Sequence, residues 1–330
     1  MVERPMGGVD YPQTILEFQE WFATDDACLK FLTRLRWPDG FVCPKCDVSG
    51  QAWKTASGLW MCRACGRQTS VTAGTIFDRT RSPLRMWFHA AWYITSQKTG
   101  VSAQGLQRVL GLRSYETAWV WMHKFRRAMV VPGRELLRGV VELDETYVGG
   151  ISRGNAGRSS TKAGVMVAAE MLGVKRLGRI RLEPSPGESL QLISFAKRVI
   201  DPGSLVRTDG AQELKRLAKL GYEHERHVEL GSEIAAHVSL YGVHTVASLL
   251  KRWLEGTLHQ GISNDHLGYY LDEFTFRFNR RASRSRGLLF YRLLEQAMRT
   301  DPAPLPTLIA TKNDHGAVLG SVQIPELPLR

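Results

Sequence analysis

The 330-residue chain carries only five cysteines, too few for the disulfide framework of a secreted protein this long, and four of them fall into two Cys-x-x-Cys pairs. A disulfide scaffold is excluded, and a reducing cytoplasm is expected. Long hydrophobic runs are also missing, since the most apolar window, Ala163 to Val174, is interrupted by Glu170. The opening Met-Val-Glu-Arg-Pro-Met has no basic segment leading into an apolar one, so neither an export signal nor a membrane span is expected. Acidic residues are in deficit, with 32 Asp and Glu against 44 Lys and Arg, a formal charge of +12. Basic side chains gain free energy by releasing counterions condensed on phosphate, so this imbalance points to a polyanion, with nucleic acid first. At 43% apolar, the chain can bury cores for two or three domains.

The paired cysteines come first. Cys43-Pro-Lys-Cys46 and Cys62-Arg-Ala-Cys65 are separated by fifteen residues, which suits two knuckles whose thiolates converge on one structural zinc ion. Short aromatic strands around Trp53 and Trp60 flank a turn at Ser57-Gly58. A redox role competes, but no βαβ pattern surrounds either pair. Cys28 lies outside the pattern and reads as a small buried apolar residue.

From Pro83 to Met129 the periodicity is helical. The aromatics from Trp87 to Tyr93 suit a buried stripe. Ser102 can cap a short helix, Gly111-Leu112 can turn, and Ser114 can cap a longer helix with Ala118, Trp121, Met122, Phe125 and Met129 inward. That is helix-turn-helix spacing. Its outer face is expected to show Arg113, Tyr115, Glu116, Trp119, His123, Arg126 and Arg127 to DNA, the plainer alternative being a helical hairpin with a solvated basic face.

After Gly139 the pattern turns to strands: Val140 to Val148, Ala163 to Met171, and Arg179 to Leu182. A helix over 188–200 and a strand from Leu205 to Thr208 complete a mixed sheet of the RNase H type. Asp144 then sits centrally on the first strand and Asp209 at the end of the strand beside it, placing two hard oxygen ligands for magnesium or manganese. Acidic residues at strand ends are often only solvated turn residues. Here both follow apolar strands in a basic, zinc-bearing chain. No glutamate opens the next helix; His244 stands there, off the apolar seam of Val246, Leu249, Leu250 and Trp253, and is the expected third ligand or proton-transfer group. Glu255 on the same face and Glu145 on the opposite sheet face are the reserves. Lys251 and Arg252 are assigned to the DNA backbone.

At these residues the chain resembles a bacterial insertion-sequence transposase of the zinc-ribbon group, insertion-sequence family fifteen ninety-five. The strings that carry the likeness are Cys43-Pro-Lys-Cys46, Leu143-Asp144-Glu145-Thr-Tyr-Val-Gly-Gly150, Thr208-Asp209-Gly210, His244 through Trp253, and Tyr270 through Arg281. The resemblance implies an RNase H-like domain with two aspartates and a third residue, usually glutamate but asparagine or histidine in some branches. Matching Ser248-Leu-Leu-Lys251 to the family's string puts His244 at that third place. It further implies strand cleavage at element ends, 3′-hydroxyl transfer into target DNA, a dimer or higher oligomer on DNA, and a bacterial, nucleoid-associated location.

The expected architecture is α+β and multidomain: an N-terminal helix and zinc ribbon over 1–80, a helix-turn-helix region over 81–135, an RNase H-like domain over 136–299 and a tail over 300–330 without assigned role. The basic cluster Arg280, Arg281, Arg284 and Arg286 is a candidate phosphate grip, and the Gly- and Ser-rich stretch 149–162 a candidate contact to a transposon end. Two competitors stand beside the transposase: a zinc-ribbon regulator without catalysis, and a structure-specific nuclease of the same fold.

Overall fold

A computed structural model describes residues 4–131, 133–149, 162–187, 189–227, 240–258 and 264–310. The stretch 150–161 of the glycine-rich segment and the chain after residue 310 lie outside the described residues. The chain forms two compact units that do not follow one another in sequence. One unit combines Met1–Val131 with Arg280–Leu308, and the other combines Pro132–Asn279 with Ile309–Arg330.

The first unit opens with α1 (Ile15–Trp21) and α2 (Asp25–Arg36), whose caps Thr14 and Thr24 accept the N–H groups of Glu17 and Ala27. Asp25 and Asp26 in the first turn of α2 and Arg34 and Arg36 in its last follow the polarity of the helix dipole. An antiparallel ribbon follows, β1 (Ala52–Lys54), β2 (Trp60–Cys62) and β3 (Gln68–Thr69), and then α3 (Leu84–Ser96), α4 (Ala103–Leu110) and α5 (Tyr115–Ala128). Ser102 and Ser114 cap α4 and α5 through the N–H groups of Gly105 and Thr117, and Gly111 takes the left-handed turn between them at φ 61°. Those two caps and that turn are the ones expected from the sequence.

Helix α9 (Arg286–Ala297) closes this unit by packing on α2, α3 and α5. Its fully buried Phe290 meets the rings of Phe18, Phe22, Phe31, Phe88 and Trp92 at centroid distances of 5.5–6.2 Å. Removing such a ring costs about 3–5 kcal/mol. The expected boundary at residue 299 is therefore corrected. The chain from Arg280 leaves the sheet-bearing unit because its apolar face completes an aromatic core whose other rings lie before Met129.

The same enclosure corrects the outer face assigned to α5. That helix meets α4, stacks Trp121 on Trp87 of α3 at 4.1 Å, and meets α9 as well. His123 and Arg126 are consequently buried, at 0% and 2% exposure. Arg113, Tyr115 and Glu116 stay exposed at the start of the helix, with Trp119 and Arg127 half-buried.

The second unit is built on a five-stranded sheet of β4 (Val140–Val148), β5 (Ala163–Gly173), β6 (Arg176–Ser185), β7 (Leu205–Asp209) and β8 (Glu223–His227). The spatial order is β6-β5-β4-β7-β8, antiparallel through β6, β5 and β4 and parallel through β4, β7 and β8. This is an RNase H-like sheet. Helix α6 (Ser189–Val199) packs Leu192, Phe195 and Ala196 against Val141, Leu143 and Val206 on one face. The other face is covered by α7 (Tyr241–Leu258) and α8 (Leu267–Asn279), whose Val243, Val246, Leu250, Leu271 and Phe274 meet Val165, Val167 and Ile180. Leu249, expected on the inner seam of α7, is 36% exposed, because the buried stripe runs instead through Val243, Val246, Ala247, Leu250 and Leu254.

Two residues of the Tyr270–Arg281 string hold this unit together. Asn279 accepts the N–H of Ile180 at 2.8 Å and donates to its carbonyl at 3.1 Å, while Arg277 pairs at 2.8 Å with Glu273, which is fully buried. Nearby, burial pushes the Asp272 carboxyl up to about 7, with Arg134 drawing it down and Glu183 adding to the rise.

A Cβ on Gly287 would overlap the carbonyl oxygen of Pro12. Gly287→Ala is expected to lower the stability of the first unit by at least ~2 kcal/mol, read as an earlier urea midpoint. Asp272 supplies a pH prediction of definite sign. A carboxyl raised in the folded state contributes stability that is full below about pH 4 and is lost as pH rises through about 7. Asp272→Asn should flatten the pH dependence of unfolding across that window, and an unchanged slope would count against it.

Candidate functional site

The two cysteine knuckles are built alike. In the first, Asp47 donates its N–H to the Cys43 carbonyl at 2.9 Å and turns at φ 56°; in the second, Gly66 donates to the Cys62 carbonyl at 3.0 Å and turns at φ 68°. The chain doubles back identically at each pair, so four thiols face one point. All four sulfurs lie within 4.8 Å of one another, with Cys43 to Cys65 at 3.6 Å and Cys46 to Cys62 at 3.7 Å. A tetrahedral zinc site with Zn–S near 2.3 Å places its sulfurs about 3.8 Å apart, so the residues present fit zinc. No disulfide joins them. Burial opposes ionisation of Cys43, yet the N–H groups of Lys45 and Cys46 and the adjacent thiols draw it down to about 6. Trp37, Phe41 and Trp60 pack around the centre, which serves as the ribbon's core. Cys28 is buried, and burial pushes its thiol up to about 12, as suits a packing residue.

The acidic candidates belong to the sheet of the second unit. Parallel pairing of β4 with β7 sets Val140 opposite Leu205, Val141 opposite Val206 and Glu142 opposite Arg207. Two residues further on, the strands reach Asp144 and Asp209, at the end of β7. Side chains alternate along a strand, so both aspartates share the face of Glu142, which is the α7 face. Neighbouring strands lie about 4.8 Å apart, a spacing that one or two cations between carboxylates can bridge. Hard oxygen donors in the middle of β4 and at the carboxyl end of β7 thus fit a divalent cation. Asp144 Oδ1 accepts the Glu145 N–H at 2.7 Å, and Asp209 Oδ1 accepts the Ala211 N–H at 3.2 Å. Among the described residues the four cysteines are the one set of three or more ligand atoms within 4.8 Å, so Asp144, Asp209 and His244 are not drawn into a cluster that tight.

His244 is the fourth residue of α7 and is half-buried. Beneath it lies a residue the sequence reading passed over. Glu142 is 2% exposed and accepts the N–H groups of Gly242 and Val243 at 2.6 and 3.1 Å, tying the first turn of α7 to β4. Burial raises its pKa, while those N–H groups, Arg207 and His244 pull the other way. A Cβ at position 242 would press on the side-chain ends of Met171, Glu142 and Leu177, so glycine lets the helix start lie this close without moving them. The helix bearing His244 is thereby seated two positions from Asp144. A signal existed in the sequence: Glu142 alternates with Val141 and Leu143 and falls on the same strand face as Asp144.

Of the reserves, Glu145 lies on the α6 face, where its buried Oε1 sits beneath Gly164. Glu255 is exposed on α7, eleven residues beyond His244 and so about 16 Å along the helix. Lys251, Arg252 and Arg281 are exposed and Arg280 is half-buried.

Comparison with known proteins agrees with this anatomy. Residues 23–68 match the model of the transposase zinc-ribbon domain, and residues 136–279 match that of the ISXO2-like transposase domain. A zinc ribbon joined to this RNase H-like sheet defines an insertion-sequence transposase, an enzyme acting on DNA. Both models describe insertion-sequence family fifteen ninety-five, and the chain carries its zinc-ribbon and transposase domains. It is also similar to an uncharacterised protein in transposable element ISH50 of Halobacterium salinarum, 28% identical over 279 residues, covering 78% of this chain and 91% of the relative. No described helix is long and apolar enough to cross a membrane.

Elemental analysis should find one zinc per chain, and Cys62→Ser or a strong chelator should remove it and abolish the near-ultraviolet signal of Trp37 and Trp60. Retention of that signal without zinc would show the ribbon to stand on its aromatic packing alone.

Proposed function

We propose that this transposase cleaves DNA at the ends of its element and joins the freed 3′-ends to target DNA, at a divalent-metal centre where β7 ends beside the middle of β4. One observation carries the reading: Asp144 and Asp209 each follow the last pair of the β4–β7 ladder, Glu142 with Arg207, by two residues, on the same face. When bound, magnesium or manganese would supply Lewis-acid stabilisation of the attacking and leaving oxygens. Asp144 and Asp209 would hold the cations, and His244, seated by Glu142, completes the set. A donor set of two carboxylates and one imidazole favours manganese more than three carboxylates would.

The reaction is the same displacement performed twice. A water oxygen bonds to phosphorus as the 3′-oxygen leaves, giving a 3′-hydroxyl and a 5′-phosphate. That 3′-oxygen then bonds to a target phosphorus as the target's own 3′-oxygen departs. Lys251 and Arg252, about 10–12 Å beyond His244 on the exposed side of α7, would hold the phosphate backbone near the reacting group. Arg113 and Tyr115 at the exposed start of α5, with Arg127, would read the element end, and Arg280 and Arg281 would add phosphate contacts. Arg126 is withdrawn from that surface because it is buried. Two ends must be joined, so at least two copies act together.

Asp144→Ala should abolish metal-dependent nicking of DNA carrying the element end, by at least ~10³-fold, while leaving end binding in gel shifts unchanged. Nicking that survives the substitution would remove the centre from this position. Binding without any nicking by the wild-type protein in magnesium or manganese would favour a regulator, and nicking without strand transfer a nuclease.

A further inference from the structure

We propose that His227 is an additional ligand of this centre, presented by β8 and oriented by Glu225. The inference rests on the catalytic reading of Asp144 and Asp209. Its ground is the register of the parallel half of the sheet. β7 pairs with β8 so that Arg207 faces Glu225 and Asp209 faces His227. With the pairing of Glu142 to Arg207, this gives two rows across three strands. One row is Glu142, Arg207, Glu225. Two residues on and on the same sheet face, Asp209 pairs with His227, and Asp144 follows the last β4–β7 pair by the same two residues.

The first row satisfies itself: Arg207 Nε donates to Glu225 Oε2 at 2.9 Å and lies close enough to Glu142 to favour its charge. The second row gathers two carboxylates and an imidazole, the donor types of the proposed centre. His227 is not a loose surface residue. Its side chain is 29% exposed and its Nε2 stands 3.1 Å from Glu225 Oε1, so Glu225 bridges Arg207 and His227. That Nε2 is buried and makes no hydrogen bond of good geometry among the described residues. With Nε2 turned to Glu225, Nδ1 is the nitrogen left to reach a cation beside Asp209. A carboxylate behind one ring nitrogen and a metal before the other is how proteins commonly orient histidine ligands. The neighbouring His224 is different. It lies on the opposite face, with Nε2 2.9 Å from Thr208 Oγ1.

Manganese added to the full-length, zinc-loaded protein provides a test independent of turnover. Electron paramagnetic resonance measures binding, and electron spin echo modulation from ¹⁴N detects a coordinated imidazole. His227→Gln should weaken manganese binding about 10–100-fold and reduce the nitrogen modulation, and Glu225→Gln should weaken it about tenfold through the orientation of the ring. The modulation should persist in His244→Gln, which tests the assignment even where His227→Gln does not fold. Loss of all modulation in His244→Gln, or unchanged affinity and modulation in His227→Gln, would overturn the role of His227. If Asp144→Ala and Asp209→Ala lose manganese in the same series, the catalytic reading stands without it. If both bind manganese like the wild type, that reading itself has failed.

Discussion

Parallel pairing of β4 with β7 is the constraint on which the second unit depends. Sixty-four residues of chain lie between Asp144 and Asp209, and each follows the last pair of that ladder by two residues on one face. A slip of one residue would turn one carboxylate to the α6 side and leave the other alone. Register is protected by the apolar alternation beneath it. Val141, Leu143 and Val206 sit in the core against α6, and moving any of them to the other face would bury charge in their place. The position of the acidic pair is thus fixed by residues that take no part in chemistry.

Glu142 performs a second kind of positioning. A carboxylate taken from water costs several kcal/mol unless donors replace the lost hydration. Here the donors are the open N–H groups at the start of α7, which themselves need an acceptor. Each satisfies the other, and the joint holds only while that helix start lies against β4. The interaction couples a helix far along the chain to the strand that bears Asp144, and Gly242 permits the approach.

Much of this was legible from residue order. The cysteine spacing, the serine caps at 102 and 114, the turn at Gly111 and four of the five sheet strands each follow from local chemistry that needs no knowledge of distant packing. What escaped depended on neighbours the sequence does not announce. Strand β8, Glu223-His-Glu-Arg-His227, has no apolar alternation because it is the edge strand of the sheet among the described residues, where charged residues are favoured. The burial of His123 and Arg126 follows from a third partner of α5 that lies more than 150 residues away in the chain. Glu142 was hidden by the same logic, since its donors are a hundred residues downstream.

The first unit is interrupted by the second, and this has a consequence for synthesis. Between Val131 and Arg280 the ribosome must translate the whole catalytic insertion, roughly seven to thirty seconds at ~5–20 residues per second. Throughout that interval Phe18, Phe22 and Phe88 await the helix that covers them. A polypeptide ended early by a frameshift or stop codon inside the insertion never receives Phe290, so it cannot leave behind a finished amino-terminal module to compete with the intact enzyme. Only a ribosome that has passed the last catalytic codon yields a chain whose opening half is complete.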